Sequence, residues 1–441
     1  MSKTYFIWPL GCQTNKSDGE RVASVLTKMG YTRAVTDTTA NVIVVVACAI
    51  RQSAVDRIYG KFRWWEKRQQ TGDLITLLTG CVLPHDKTKL TPKFDLVFDI
   101  EDLPKLPQLL AQTNLETTVN LRDQMEYFAI QPIHNSTFRA WVPIAKGCDK
   151  YCTYCAVPFT RGRERSRPSQ DIINEVTDLI SRGYKDIHLL GQNVNSYGLD
   201  KPNAEISFAE LLKSVAELPG EFWIRFHAPH PRDFTNDVIE VIAQYPKLCK
   251  QINLPAQSGS STVLRRMNRP YTREHYLDLI TRIKAGIPNV SLSTDIIVGF
   301  CGETEAEFAE SYSLMEQVGY DMAFIAQYSV RPGTVAARRF QDNVTHAEKK
   351  HRFAVLTALL GETFMRNQTP RLGTIDTILV EKYSKDHWLG RNQHQITIEF
   401  PAPADAQLVG TFQKIRLDQV EPFRFVGSLP PTPLQGARMV R

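Results

Sequence analysis

Between Ala145 and Cys155 the chain reads AKGCDKYCTYC, three cysteines within eight positions at the intervals C-x3-C-x2-C. Thiols this close together suit a metal. A structural zinc ion takes four protein donors, commonly as two pairs, yet no Cys or His follows Cys155 until His188. Zinc would therefore need a remote fourth ligand. A 4Fe-4S cluster is also held by thiolates, and one given only three keeps an iron open to a visiting molecule. Three further cysteines, Cys12, Cys48 and Cys81, each follow an apolar run: TYFIWPL, NVIVVVA and DLITLLTG. If those runs are neighbouring parallel strands, their C-terminal ends share one side of the sheet, the edge where open α/β sheets bind ligands. Sulfurs far apart in sequence then meet at one point. The competing reading is three small core residues, an ordinary place for free cysteine.

The chain has 441 residues, 42% hydrophobic and 23% charged, enough for two or three domains with large cores and no need of disulfide staples. Its start, MSKTYFIWPLGCQTN, has neither the long apolar core nor the cleavage site of a secretory signal. The longest apolar run, NVIVVVACAI, falls far short of the ~18 residues that cross a bilayer. A cytoplasmic location without a membrane is expected, where thiols stay reduced and eight cysteines point to ligation or catalysis. The formal charge of +6 permits a polyanionic partner without requiring one.

Hydrophobic period gives the elements that must position these thiols. Over residues 1–120, strand-like runs alternate with helix-like segments, namely SDGERVASVLTKMG, capped at Ser17 or Asp18 and stopped at Gly30, and RQSAVDRIYGKFRWWEKRQQ. That is the pattern of a doubly wound α/β domain. Residues 113–137 read as a linker. Over 137–368 six apolar strands recur, RAWVPIAK, DIHLLGQN, EFWIRFHA, QINLPAQS, SLSTDIIVGF and MAFIAQYSV, separated by helix-length segments. Six such units describe a (βα)6 partial TIM-like barrel, whose chemistry sits on the loops after the strands. The three-cysteine loop follows the first of them. From 369 to 427 the runs shorten and alternate, as in TIDTILVEKY, HWLGRN, HQITIEF and TFQKIRLDQV, which suits a small all-β barrel. The Pro-rich 428–441 reads as a disordered tail.

C-x3-C-x-aromatic-C after the first barrel strand, with Tyr154 as the aromatic, resembles the cluster loop of the radical S-adenosylmethionine (SAM) enzymes. The likeness covers essentially the whole chain and narrows to the methylthiotransferases, which join a three-cysteine N-terminal domain, a radical SAM barrel and a C-terminal TRAM domain. GCQTNKSDGE, ACAIRQSA and TGCVLP resemble that family's three cysteine motifs. FTRGRERSRP, LGQNVNSYG, RFHAPHPRDF, LPAQSGSSTVLRRMNRPYTREHY and STDIIVGFCGETEAEF are similar to its MiaB type. The resemblance implies two 4Fe-4S clusters, one on Cys148, Cys152 and Cys155 that binds and cleaves SAM, and an auxiliary one on Cys12, Cys48 and Cys81 that carries the sulfur. It further implies that a methylthio group is installed at C2 of N6-dimethylallyl-adenosine beside the tRNA anticodon, with one SAM as methyl donor and another as radical source. Two departures stand out: Ala47 precedes Cys48 where the family usually has a polar residue, and Cys301 replaces a usual Pro in GFCGET. Neither removes a ligand, and Cys301 and Cys249 are expected to be inert.

By the same likeness Tyr154 lies beside the adenine of SAM, and Gln192, Asn193, Gln257, Ser258, Asp295, Ile297, Val298 and Gly299 line its pocket, although polar residues at strand ends also serve as helix caps. Arg161, Arg163, Arg165, Arg167, Arg265 and Arg266, with Arg269 beside them, suit the phosphates of an anticodon stem-loop. Ion pairs to helix carboxylates would account for them equally. From Arg371 to Arg424 seven Lys and Arg are balanced by seven Asp and Glu. RNA contact there would rest on aromatics such as Tyr383, Trp388 and Phe400, whose ordinary place is a barrel core. An electron donor protein and a sulfur or cluster-assembly source are further implied partners, and the chain is expected to be a monomer. Two other functions remain open: the same chemistry on threonylcarbamoyl-adenosine in tRNA or on an Asp of a ribosomal protein, and an iron-sulfur RNA-binding protein without catalysis.

Overall fold

The computed structural model describes residues 3–48, 52–111 and 126–430, with backbone alone over 52–55. Much of the expected linker, most of the expected tail and the part of ACAIRQSA just after Cys48 lie outside the described residues.

Strands β1 (Thr4–Pro9), β2 (Thr32–Arg33), β3 (Val42–Cys48), β4 (Ile75–Cys81) and β5 (Leu96–Val97) form one parallel sheet in the order β2-β1-β3-β4-β5. Every residue of β3, VIVVVAC, is buried, as a central parallel strand covered on both faces requires. Val42, Val44 and Val46 pack with Val22, Val25 and Leu26 of helix α1 (Gln13–Lys28), while Ile43, Val45 and Ala47 pack with Ile58, Phe62 and Trp65 of helix α2 (Gln52–Gln70). The edge strands β2 and β5, two residues each, are too short to show a period in sequence. Helix α1 does not start at Ser17 or Asp18, because Cys12 occupies the N-cap position. Asn15, Ser17, Asp18, Glu20 and Arg21 are buried in its first turns. Many of their partners are distant in sequence, among them Tyr127, His134, Trp141 and Arg161, which is why local sequence reads them as an exposed start.

The second domain begins with β6 (Arg139–Pro143), followed by β7 (Ala145–Lys146) and β8 (Arg165–Ser166), which pair antiparallel and clasp the cysteine loop between them. Strands β9 (Asp186–Leu190), β10 (Trp223–Phe226), β11 (Gln251–Asn253), β12 (Ser291–Val298) and β13 (Met322–Gln327) complete a set of six barrel strands. They lie in two parallel sheets, β10-β9-β6 and β11-β12-β13, bridged where Ile224 meets Leu248. Together they form the expected partial barrel. Alternate residues Ala140, Val142, Ile187, Leu189, Ile224 and Phe226 join the core under the helices, so Trp141, Asp186, His188, Arg225 and the residue after β10, His227, face the lumen.

A helix over His346–Gln368, started by a Thr345 and Glu348 capping box, leads to a closed barrel of β14 (Ile375–Ser384), β15 (His387–Asn392), β16 (Thr397–Phe400), β17 (Phe412–Glu421) and β18 (Arg424–Ser428) in the order β14-β15-β16-β18-β17. Trp388 and Phe400 are core residues there, while Tyr383 is exposed. This barrel seats on the N-terminal ends of β6 and β10: Trp223 packs on Phe412 with ring centroids 4.7 Å apart, Arg139 bonds Glu381, and Arg225 donates to the carbonyls of Asn392 and Gln393 at 2.9 and 3.1 Å. Among the described residues no helix is long and apolar enough to cross a membrane.

Candidate active site

The loop from Gly147 to Cys155 leaves β7 through Gly147, whose φ is +73 and where a Cβ would overlap the backbone of Arg163. Backbone bonds then fold it tightly. The Cys148 N–H donates to Gly162 O at 3.2 Å and the Cys155 N–H to Cys152 O at 3.0 Å, and Sγ of Cys155 accepts from the Val157 N–H at 3.4 Å. Thr153 anchors the turn, its N–H on Met267 O at 3.0 Å and its hydroxyl on Arg266 O at 2.9 Å. Burial pushes the Cys148 thiol up to about 11 and the Cys155 thiol up to about 12, so a metal must displace protons to bind. Arg269 Nη1 donates to Cys152 Sγ at 3.5 Å, a bond that strengthens when the sulfur is a thiolate. Tyr154 packs with Val263, Met267, Phe300 and Cys301 on one wall. Cys301 is therefore a packing residue, and burial pushes Cys249 up to about 12.

Cys12, Cys48 and Cys81 meet at the C-terminal edge of the first sheet. Cys48 and Cys81 are register partners across β3 and β4. Gly11, at φ +91, brings the chain so close that a Cβ there would overlap Cβ and Sγ of Cys48. Asn15 sits at the centre. Its amide donates to Leu10 O at 2.6 Å and Ala47 O at 2.8 Å, and its carbonyl oxygen lies 3.9 Å from Cys12 Sγ and 4.0 Å from Cys81 Sγ. Burial raises the Cys81 thiol above its ordinary range, against a pull downward from Arg161. Among the described residues no three His, Cys, Asp or Glu side chains gather tightly enough for a single metal ion. The fit at both sites is thus one of donor chemistry: three thiols each, the donors a 4Fe-4S cluster takes.

Beside the cysteine loop and past the C-terminal ends of β9 and β10 lies a group of buried polar atoms without partners. Oε1 of Gln192, Oδ1 of Asn193, Oε2 of Glu164 and Nε2 of His230 are buried without a hydrogen bond, a state that costs roughly 1–3 kcal/mol for each group and that a polar ligand relieves. Neighbouring bonds hold these groups in place. Asp233 pairs with Lys150 at 2.5 Å, with Arg232 at 2.7 Å and with the Asn193 amide at 3.1 Å, and Asn195 clasps the backbone of His230 at both its N–H and its carbonyl. Across the mouth, Gln257 is held at φ +70, with its backbone on Asp295 O and the Ile297 N–H, a strained conformation of the kind found at ligand sites. Sequence singled out Gln192, Asn193, Gln257 and Asp295 but missed Glu164 and His230. The Ser258 hydroxyl is shared with Ser311 and the Ser260 N–H, and Val298 lies in the helix-side core. The Gly299 N–H bonds Glu303. Lys349 crowds its Cα, next to a cavity of about 430 Å³ lined by Gln327, Tyr328, Asp342 and Lys349.

The arginine set also needs correction. Arg161 and Arg167 are turned inward, the first onto Asp18 and the second onto Glu175, and Arg269 serves Cys152. Arg266 is held by both oxygens of Glu307 at 2.8 and 2.9 Å. Arg163, Arg165 and Arg265 remain exposed, Arg163 bonded to Asp149 at 2.8 Å.

One lumen feature escaped the sequence reading entirely. Asp186 accepts from Arg139 Nε at 2.7 Å, from Arg225 Nε at 3.1 Å and from His188 Nε2 at 2.9 Å, and His188 Nδ1 meets His227 Nε2 at 2.7 Å. Burial would raise Asp186, but His188 and the two arginines hold it well below the ordinary 3.8, so it is ionised. An ionised Asp186 fixes His188 with its proton on Nε2 and His227 with its proton on Nε2, leaving Nδ1 of His227 an acceptor. Burial lowers His188, burial and His188 lower His227, and burial and Arg269 push His230 down to about 2. In the unfolded chain these imidazoles take up protons near 6.5; in the fold they take them up only at lower pH, so the unfolded state binds more protons just below 6.5. Stability therefore falls as pH drops through 6.5. The contribution of Asp186, present above 3.8, is lost only as pH falls further toward its folded value. The expected result is a thermal midpoint that drops between pH 7 and 5.5, with a shallower slope in His227→Gln. An unchanged slope in that variant would refute the assignment.

Residues 142–315 match the radical SAM superfamily, and residues 4–99 match a family described as uncharacterized protein family UPF0004. The chain is 41% identical over 437 residues to a Clostridium botulinum protein (strain Langeland) named tRNA-2-methylthio-N(6)-dimethylallyladenosine synthase, with 96% of each chain covered. Proteins of the same name from Carboxydothermus hydrogenoformans and Bacteroides thetaiotaomicron are 37% and 39% identical, covering 97% and 95% of this chain and 99% and 94% of theirs. Among solved structures, the radical SAM methyltransferase TsrM from Kitasatospora setae, with cobalamin and a [4Fe-4S] cluster bound, aligns with a TM-score of 0.52 at 14% identity over 76% of this chain and 77% of its own. The cobalamin-dependent SAM radical enzyme OxsB aligns with a TM-score of 0.51 at 15% identity over 83% of this chain and 56% of its own. These two show the fold.

Proposed function

The chain belongs to the radical SAM methylthiotransferases, in the family of tRNA-2-methylthio-N(6)-dimethylallyladenosine synthases, and on that premise we propose that its two cysteine sites act together to place a methylthio group on C2 of N6-dimethylallyl-adenosine in tRNA. The single observation that carries the reading is that Arg161, in the loop that follows the barrel's three cysteines, bonds Cys81 and Asp18 at the N-terminal three-thiol site. In this family the bound groups are SAM and 4Fe-4S clusters; when present they supply one electron to cleave a carbon-sulfur bond of SAM and, at the second site, the sulfur to be transferred.

The chain's own residues do the rest. Cys148, Cys152 and Cys155 offer three thiolates, and Arg269 lends the middle one a hydrogen bond. Glu164, Gln192, Asn193 and His230 present unpaired polar atoms suited to the amino and carboxylate groups of SAM, and Tyr154 closes the apolar side. The curved sheet and its helices shield the reacting groups from solvent and from side reactions. Cys12, Cys48 and Cys81 hold the second site against the same space, and the lumen wall of Trp141, His188 and His227 receives the modified base. Arg163, Arg165 and Arg265 contact phosphates of the anticodon stem-loop, with the exposed Tyr383 available on the C-terminal barrel. An electron donor protein and a sulfur or cluster-assembly source complete the reading, for a monomer acting in the cytoplasm.

Mass spectrometry of tRNA nucleosides from a strain deleted for this gene tests it. The methylthio-dimethylallyl nucleoside disappears, its unthiolated precursor accumulates, and threonylcarbamoyl-adenosine derivatives are unchanged. An undiminished methylthio-dimethylallyl signal would defeat the proposal.

A further inference from the structure

Arg161 belongs by sequence to the cysteine loop of the barrel, six residues after Cys155, yet its side chain ends inside the N-terminal domain. There Nε donates to Cys81 Sγ at 3.1 Å, and Nη2 donates to Asn15 Oδ1 at 2.8 Å and to Asp18 Oδ2 at 2.6 Å. The Arg161 side chain is 6% exposed and that of Asp18 0%. Tyr127 donates its hydroxyl to the other oxygen of Asp18, so the carboxylate is fixed from both sides. A tie between domains would be complete with Asp18 and Asn15. The third bond, to a sulfur, reaches the chemistry. No comparable donor from the N-terminal domain touches Cys148, Cys152 or Cys155 among the described residues, where Arg269 of the barrel serves instead.

We propose that Arg161 is a positioning residue that raises the reduction potential of the N-terminal cluster: its N–H bond to Cys81 sulfur favours the more negative, reduced state, while its place on the barrel's cysteine loop fixes the two sites relative to each other. Hydrogen bonds to ligating sulfurs and nearby charge are the protein's ordinary levers on cluster potential. The fork geometry of the guanidinium lets one side chain hold sulfur, amide and carboxylate at once in fixed directions, where a lysine offers a compact, rotatable point charge. The inference rests on the reading that Cys12, Cys48 and Cys81 hold a cluster.

The test is a potentiometric titration, followed by EPR, of the full chain reconstituted with iron and sulfide. The wave of the N-terminal cluster is the one missing when Cys12, Cys48 and Cys81 are all replaced by Ala. Arg161→Gln is combined with Asp18→Asn so that no buried charge is left unpaired. The expected result is wild-type iron content, an unmoved barrel-cluster wave, and an N-terminal wave displaced downward until the reduced-to-oxidised ratio at fixed poise falls about tenfold, about 59 mV for a one-electron couple. If the double variant takes up no iron, Arg161→Lys decides: a smaller downward displacement supports the proposal and none overturns it. An N-terminal wave that stays in place, or two waves displaced alike, overturns it with the cluster reading intact. A single wave in the wild type overturns the cluster reading itself, and the proposal with it.

Discussion

Cys152→Ala protein, reconstituted and reduced, releases no 5′-deoxyadenosine from SAM above the protein-free control, while the wild type releases it steadily. The reasoning is one of donor count. The loop supplies three thiols, and no Cys or His lies between Cys155 and His188 to replace one. Two remaining thiolates cannot retain a cluster that is already one protein ligand short. The variant also strands Arg269, whose bond to Cys152 lies in a buried group with Tyr271 and the Pro255 carbonyl at 2.8 and 2.9 Å. Those two partners survive, so the local fold survives. The turn is equally safe, because the Cys155 N–H bonds the Cys152 carbonyl and not its side chain. Circular dichroism and thermal midpoint should match the wild type closely, which separates loss of chemistry from loss of structure. Wild-type protein that cleaves no SAM would overturn the enzymatic reading and leave an iron-sulfur RNA-binding protein in its place.

The two cysteine sites were legible in sequence for different reasons. Cys148, Cys152 and Cys155 are local, so their spacing alone announces them. Cys12, Cys48 and Cys81 are not local, but each ends a run that only a strand explains, and parallel strands put such ends together. What sequence concealed is everything decided across domains. Asn15, Asp18, Glu20 and Arg21 look like the polar start of a helix, and only the packed seam shows them buried inside it. Arg161 sits in TRGRERSR beside Arg163 and Arg165, which do face solvent, so composition groups it with phosphate binders although its partners are Cys81 and Asp18. His188 looks like a lone histidine within a strand and His227 like one just past a strand end; their bond exists because β9 and β10 are register neighbours. The helix over His346–Gln368 carried its capping signal, Thr345 with Glu348, and was overlooked between two better marked domains.

Cys81→Ala separates the two sites. This variant continues to release 5′-deoxyadenosine from SAM at a rate comparable with the wild type, yet forms no methylthiolated nucleoside on tRNA carrying dimethylallyl-adenosine. Cys81 ends β4 and is 3% exposed, and removing one buried sulfur costs on the order of 1 kcal/mol, too little to unfold a domain whose sheet core runs through β1, β3 and β4. The three thiols of the barrel loop are untouched, and Arg161 retains Asp18 and Asn15 when its sulfur partner goes, so the loop that carries it stays anchored. Cys48, the register partner of Cys81, and Cys12 are then two donors where three are needed. Iron and sulfide analysis should show half the wild-type content, in contrast to a variant that fails to fold, which would lose both. Liquid chromatography with mass spectrometry reads both products from one reaction. Methylthiolation that persists in Cys81→Ala would show that sulfur reaches the base without the N-terminal site. Loss of SAM cleavage together with methylthiolation would show that the two sites do not act separately, and that the seam through Arg161 and Asp18 transmits more than position.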